Sequence, residues 1–375
     1  MRVQLSRAGS LMAGLFLVPQ SALAAWELNM TPGVTDVSKD IYSLHMIIFW
    51  ICVAIGVVVF GVMFWSIIAH RKSKGYKPAN FHEHTWVEVL WTVIPFGILV
   101  AMAVPATGTL LDIYDTKDAD IDIQVTGYQW KWQYSYLDKE FSFFSNLATS
   151  KEEIYNRLDK NENYLLEVDN PLVIPVDTKV RFMITSKDVI HSWWVPDLGV
   201  KKDAIPGFIN ESWARVEEPG IYRGQCTELC GKDHGFMPVV VKAVPKDEYE
   251  EWAAKKVAAA EKERRLTSKD WSLEELMERG EGVYNTACAS CHQADGSGAP
   301  PAFPALKDST VATENMDQHL DIVVNGVSGT AMQAFGEQLS EVDLAAVITY
   351  ERNAWGNDTG EKVTPKQILD YKNAQ

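Results

Sequence analysis

Two long apolar runs, Leu44–Ala69 and Val87–Leu111, stand out from the rest of the chain. Each is about 25 residues, enough to cross a ~30 Å hydrocarbon core at ~1.5 Å per residue with some tilt. Between them the stretch His70-Arg-Lys-Ser-Lys-Gly-Tyr-Lys77 concentrates positive charge. That charge predicts a cytoplasmic connection, with both ends of the mature chain outside. The short connection makes the two spans an antiparallel hairpin. A third, shorter apolar run, Leu11–Val18, follows Arg2 and Arg7 and gives way to Ser-Ala-Leu-Ala24-Ala25. This is the pattern of a secretory signal peptide over residues 1–25, cleaved near Ala24 or Ala25. An uncleaved anchor helix is the alternative, and the mass of the mature N-terminus separates the two.

From Ile121 to Ala243 the period changes to two. Ile121, Ile123 and Val125, then Trp130, Trp132, Tyr134 and Tyr136, then Val180, Phe182 and Ile184 alternate with polar residues. Short strands of this kind, divided by Asp-Asn-Pro, Asp-Thr and Glu-Pro-Gly turns, predict a Greek-key β-sandwich. The polar stretch Leu137–Asn163 is expected as a surface excursion. Residues 246–270, rich in Lys, Glu and Ala, predict a solvated helix acting as a semi-rigid linker. Beyond it, Ser272-Leu-Glu-Glu275 and Ser340-Glu-Val-Asp343 each open an amphipathic helix. The expected order is therefore a transmembrane hairpin (26–115), a sandwich (116–245), the linker, an all-α domain (271–360) and a tail (361–375).

The chemistry sits in both external parts. Cys226-Thr-Glu-Leu-Cys230-Gly-Lys-Asp-His234-Gly-Phe-Met237 packs two thiols, an imidazole and a thioether into one loop joining two strands, and His191 is available upstream. Soft sulfur with imidazole selects copper, zinc or iron over magnesium or calcium. Structural zinc or a disulfide is the competing reading, but Met237 favours copper, and two cysteines can bridge two copper ions. Further on, Cys288-Ala-Ser-Cys291-His292 is the C-x-x-C-H signature of covalent c-type haem attachment. Two thiols at this spacing can add to the haem vinyl groups while the adjacent imidazole reaches the iron. Met332 is the candidate distal ligand, and its loop resembles that of small bacterial cytochromes c, with Gln333 where Pro often follows the Met. Met316 reads as a residue at a helix start. Cys52, inside an apolar run, reads as a small buried hydrophobe.

The loop C-x-E-x-C-x-x-x-H-x-x-M with its upstream His resembles the binuclear CuA centre of cytochrome c oxidase subunit II. The resemblance takes in Tyr128-Gln-Trp130-Lys-Trp132-Gln-Tyr134-Ser-Tyr136, Asp188-Val-Ile-His191-Ser-Trp and Lys202-Asp-Ala-Ile-Pro206-Gly, and runs from about residue 30 to 245. It implies a cupredoxin-like fold, with Cys226 and Cys230 bridging the coppers and His191, His234, Met237 and the Glu228 carbonyl completing the set. It also implies an electron-entry role for Trp130 and a magnesium or manganese ion shared between the Glu228 carboxylate and subunit I. Glu88, the one acid within either span, resembles the subunit II Glu at the mouth of a proton channel; the alternative is an interfacial acid reaching headgroup water.

The fused C-x-x-C-H domain makes the whole chain similar to caa3-like oxidases. The expected partners are subunit I with its haems and CuB, subunit III, a periplasmic cytochrome c donor and the lipid bilayer of a bacterial plasma membrane. Oxygen chemistry is assigned to subunit I, because this chain has no intramembrane His cluster for haem a or CuB. A nitric oxide or nitrous oxide reductase unit and a membrane-anchored copper-delivery factor are the rival readings. The net charge of the chain is −15 and its excess acid is external, where it would steer a basic donor, although solubility of an exported domain explains it equally well. Nothing in the sequence indicates nucleic-acid binding.

Overall fold

The computed structural model describes residues 29–373 apart from 78, 81, 328 and 337. The predicted signal peptide lies outside the described residues. Helix α1 (Asp36–Ala69) and helix α2 (Thr85–Ile113) contain the two apolar runs; α1 begins eight residues before its run and α2 extends its run at both ends. Their apolar side chains point outward all round, with Val57 68% and Leu99 69% exposed in the chain by itself. A helix apolar on every face is a membrane span and not a surface helix, whose apolar residues keep to one stripe. Cys52 accordingly lies exposed on α1 and not in a protein core.

The chain divides into two compact units, the first comprising residues 1–138 and 145–249 and the second 139–144 and 250–375. Strands β1 (Ile121–Tyr128), β2 (Lys131–Tyr136), β3 (Phe141–Ser145), β5 (Val180–Ser186) and β8 (Asn210–Ala214) form one sheet in the order β3-β2-β1-β5-β8. Strands β4 (Leu172–Pro175), β6 (His191–Val195), β7 (Val200–Ala204), β9 (Gly220–Cys226) and β10 (Pro238–Val244) form the other, in the order β4-β10-β9-β6-β7. The pairs β1–β5 and β4–β10 are parallel, and β1–β2, β5–β8, β9–β10, β6–β9 and β6–β7 are antiparallel.

The period-two pattern is realised except at Trp130, which lies in the turn between β1 and β2 and is partly exposed. Ile123, Val125, Trp132, Tyr134, Phe182, Ile184 and Trp193 are fully buried between the sheets. The stretch 137–163 does more than loop over the surface, because Phe141–Ser145 enters the sheet as β3, and Lys151–Ile154 forms a short helix, α3, with a Ser150–Glu153 capping box.

The sandwich is fastened to the outer ends of the membrane helices. Thr35 caps α1 and its hydroxyl donates to the Leu198 carbonyl (3.1 Å), while Val34 N–H bonds the Asp197 carbonyl (2.9 Å). At the end of α2, Trp213 Nε1–H donates to the Asp112 carbonyl (2.8 Å). The Thr35–Leu198 bond is buried, and its carbonyl would cost free energy if left unpaired, so it makes the junction with α1 specific.

The second unit is helical. Helix α4 (Lys246–Thr267) is the predicted linker, but one face is packed, with Trp252 edge-on to Phe141 and Phe143 at 5.6 and 6.1 Å. Beyond it come α5 (Leu273–Ala287), α6 (Ala289–His292), α7 (Thr310–Glu314), α8 (Met316–Asn325), α9 (Glu341–Asn353) and α10 (Pro365–Asn373). Ser272 and Ser340 cap α5 and α9 where the sequence places them. Helices α5 and α9 cross at Gly280, where a Cβ would stand 2.2 Å from the Ala346 carbonyl oxygen, so only glycine permits the contact. Residues 361–373 differ from the expected tail: Val363 and Ile368 are fully buried in the same core.

Tyr136 joins the two sheets, because its hydroxyl donates to the Val173 carbonyl (2.6 Å) and accepts from Val173 N–H (3.1 Å). Tyr136→Phe leaves both backbone groups buried and unpaired and should cost about 1–3 kcal/mol. Urea unfolding of the isolated sandwich checks this, with no change in midpoint as the contrary result.

Candidate metal centre and haem-attachment segment

The cysteine loop begins where β9 leaves its sheet. Cys226 N–H bonds the Met237 carbonyl (3.0 Å) and Thr227 N–H bonds the Ser192 carbonyl (3.1 Å), so the loop is closed at its base and held beside β6. The loop thereby turns both thiols toward His191, the first residue of β6. Cys226 Sγ lies 3.8 Å from Cys230 Sγ, 3.9 Å from His191 Nδ1 and 3.4 Å from the Glu228 carbonyl oxygen. Cys230 Sγ lies 3.4 Å from His234 Nδ1. Met237 closes the loop and is buried. The sulfur separation is far beyond a disulfide bond. What converges instead is a compact set of soft donors with imidazole on two sides, which fits copper.

Several neighbours set the orientation of these donors. His191 Nε2 bonds Asp188 Oδ1 at 2.8 Å, and since a carboxylate only accepts, Nε2 carries the proton and Nδ1 faces the thiols. Gly127 on β1 makes room for the ring, as a Cβ there would come within 2.8 Å of it. Asp188 also accepts from Gln129 N–H (2.6 Å) and Val189 N–H (2.6 Å). Burial opposes its ionisation, but the bonds from His191 and these amides outweigh burial and hold its carboxyl below the usual range. Sequence reasoning gave Asp188 no role; its place three residues before His191 was the available signal.

The titratable groups of the loop are shifted in both directions. Burial disfavours the His191 imidazolium, yet Asp188 and Cys226 more than compensate and raise its pKa to about 9. Burial likewise opposes the Cys226 thiolate, but bonds from His191 and backbone amides bring it down to about 7. Burial and the neighbouring Cys226 charge push Cys230 up to about 12.

Trp130 is partly exposed at the edge of this loop. Its Nε1–H (3.1 Å) and Gln129 Nε2–H (2.7 Å) both donate to the Cys230 carbonyl, and Lys232 Nζ lies 5.6 Å from its ring. Glu228 is exposed. Glu88 is distant in sequence and lies in the first turn of α2, where its carboxylate accepts from His84 N–H (3.1 Å).

In the second unit α6 carries Cys291 and His292, with Cys288 as its N-cap. His292 Nδ1 bonds the Pro304 carbonyl at 2.9 Å. A carbonyl only accepts, so Nδ1 carries the proton and Nε2 keeps a free lone pair, the form an iron ligand needs. Cys288 and Cys291 are free thiols, Cys288 packing against the helical core. The donor set thus fits a covalently held haem. Met332 is partly buried against that core, as is Met316, which begins α8 as its sequence position suggests.

A two-helix anchor, a β-sandwich with a soft-metal loop and a helical C-x-x-C-H domain together define a membrane-anchored electron-transfer protein. Residues 24–108 match the profile of the cytochrome c oxidase subunit II transmembrane domain and residues 121–244 that of its periplasmic domain. Residues 275–350 match the profile of cbb3-type cytochrome c oxidase subunit III. A probable cytochrome c oxidase subunit 2 of Rickettsia bellii is 40% identical over 231 residues, covering 62% of this chain and 84% of the relative. The cytochrome c oxidase subunit 2 of Cyanidium caldarium is 37% identical over 247 residues, covering 64% of this chain and 95% of the relative. The crystal structure of the periplasmic domain of subunit II of cytochrome oxidase (CoxB) of Bradyrhizobium japonicum is 41% identical over 38% of this chain and 96% of that one, with a TM-score of 0.34. The chain belongs to the cytochrome c oxidase subunit II family, here with a fused C-terminal cytochrome c domain.

Metal ligands must be deprotonated, so loading the loop has to displace the protons on His191, Cys230 and part of Cys226. The apparent affinity for copper should therefore rise with pH between 6 and 9, with about two protons released per chain near neutrality. Metal titrations in weak buffer measure both quantities, and a pH-independent affinity would contradict the assignment of these donors.

Proposed function

We propose that this chain is the electron-entry subunit of a proton-pumping cytochrome c oxidase in a bacterial plasma membrane, with both external domains on the periplasmic side. The observation that carries the reading is the convergence of Cys226, Cys230, His191 and His234 donor atoms at one loop in a chain of this family. The thiolates of Cys226 and Cys230 bridge a copper pair. His191 and His234 each bind one ion, and Met237 and the Glu228 carbonyl complete the set. Cys288 and Cys291 attach haem c, with His292 and Met332 as axial ligands. When bound, the copper pair and haem c supply one-electron relays between a cytochrome c donor and haem a of subunit I, where oxygen is reduced to water.

The chain's own residues serve that traffic. Asp188 fixes the His191 ring, and the His292–Pro304 bond fixes the other imidazole. Trp130 is the electron entry point, supported by its bond to the Cys230 carbonyl, one residue's backbone away from a bridging thiol. Glu88 is assigned to proton entry from the cytoplasmic side, and the Glu228 carboxylate to a magnesium or manganese ion completed by subunit I. Subunits I and III are the expected partners in the bilayer.

Copper-loaded, haem-matured protein should show the multi-line hyperfine signal of a delocalised copper pair in electron paramagnetic resonance, together with a low-spin c-haem spectrum. A single-copper type 1 signal would overturn the reading. Trp130→Ala should slow reduction by cytochrome c about tenfold or more while leaving the copper absorption intact; equal damage to both removes the entry role. In Glu88→Ala, copper reduction should persist while proton-coupled turnover falls, and normal turnover would exclude Glu88 from proton uptake.

A further inference from the structure

The connection between α1 and α2 carries a cluster of cations that the electron path does not use. The sandwich is fastened to the opposite ends of both helices, so this connection lies on the far face of the bilayer. Arg71, Lys72, Lys74 and Lys77 all stand exposed there, and among the described residues none of the four pairs with an acid. The external lysines are different, since Lys39, Lys139, Lys242 and Lys255 each pair with a glutamate. A chain of net charge −15 has acids to spare, and this loop meets none of them. The Glu88 carboxylate, at the start of α2, is turned to His84 N–H.

Orientation in the membrane calls for positive charge on this side but not for any particular arrangement of it. The arrangement here is ordered. Lys72–Lys74 form a single helical turn, closed by Lys74 N–H to the Arg71 carbonyl (2.9 Å) and Gly75 N–H to the Lys72 carbonyl (3.0 Å). Gly75 then takes φ +75°, and the chain doubles back so that Tyr76 meets the His70 ring edge-on, with centroids 4.9 Å apart. Trp65, in the last turns of α1, meets the same ring edge-on at 5.1 Å. Trp65, His70 and Tyr76 thus form one exposed aromatic ledge beside the cations, where α1 leaves the hydrocarbon. Trp and Tyr rings favour that depth, at the level of the lipid headgroups.

We propose that this loop binds the headgroup of an anionic phospholipid from the leaflet opposite the sandwich, such as phosphatidylglycerol. The cations meet the phosphate, as juxtamembrane basic clusters do, and the ledge lies along the glycerol and the upper acyl chain. A free phosphate carries the same charge but leaves the ledge uncovered, whereas a lipid occupies both parts. The inference rests on both helices spanning the bilayer and is independent of the metal and haem assignments.

The test uses the full chain in micelles of an uncharged detergent, titrated with phosphatidylglycerol or with zwitterionic phosphatidylcholine, and counts bound lipid by native mass spectrometry. The parent should retain one phosphatidylglycerol about tenfold more tightly than phosphatidylcholine. Equal retention of the two overturns the proposal without any variant. Replacing Lys72 and Lys74 together by Gln leaves Arg71 and Lys77 to orient the hairpin, and should weaken phosphatidylglycerol about tenfold while leaving phosphatidylcholine unchanged. Replacing Trp65 and Tyr76 together by Leu keeps every charge and should weaken phosphatidylglycerol about threefold. Parent-like binding by the Leu variant would reduce the effect to diffuse charge and remove the site, and parent-like binding by the Gln variant would remove the cations from it. Displacement of bound phosphatidylglycerol by millimolar inorganic phosphate would assign the loop to a soluble anion and likewise overturn the lipid proposal.

Discussion

The donor set at the head of the sandwich depends on how β9 ends. Two backbone hydrogen bonds, from Cys226 to Met237 and from Thr227 to Ser192, tie the departing chain to its returning limb and to β6. Because Trp193 is the ladder partner of Cys226, His191, two residues earlier on the same face of β6, falls beside the thiols and not beyond them. The loop between has little regular structure of its own beyond one turn, His234–Phe236, so its conformation is imposed by these ends and by the Gln129 and Trp130 bonds to the Cys230 carbonyl. A rigid frame matters for electron transfer because metal donors held in place need not reorganise when the charge changes.

Rigidity at the head is matched by attachment at the base. The sandwich is joined to α1 through Val34, Thr35 and Leu198 and to α2 through Trp213 and Asp112, all by bonds to main-chain groups. Those contacts fix the depth of the sandwich relative to the ends of two helices whose apolar faces belong in lipid. A subunit that passes electrons to a membrane-embedded partner needs that depth to be set by its own fold.

The helical unit solves the same problem differently. Its core is the α5–α9 crossing at Gly280, with Tyr284, Tyr350 and Trp355 packed beside it, ring centroids 4.8–5.6 Å apart. Around that core, buried polar side chains hold the connecting segments. Arg352 bonds the Ala312 carbonyl (2.8 Å) of α7 and pairs with Glu361, Tyr284 bonds the Gln293 carbonyl (2.7 Å), and Glu351 bonds His319. Connecting loops are short of regular hydrogen bonds, and these side chains supply the missing partners.

What the sequence determined by itself is what depends on neighbours along the chain. The length and hydropathy of two runs sufficed for the membrane spans, alternation sufficed for the buried faces of β1, β2 and β5, and Ser272 and Ser340 marked helix starts. The spacings C-x-x-x-C and C-x-x-C-H were legible for the same reason, since one turn of chain brings those atoms together. Tertiary structure decided everything that joins distant segments. The Asp188 bond that selects the His191 tautomer, the Tyr136 bridge between sheets, the recruitment of Phe141–Ser145 into a strand and of Val363 and Ile368 into a core had no local signature. The His319–Glu351 pair is the clearest case, because neither residue sits in a motif and only the packing of α8 on α9 places them 2.7 Å apart. A buried polar group must find its partner wherever the fold provides one, and periodicity along the chain carries no record of that choice.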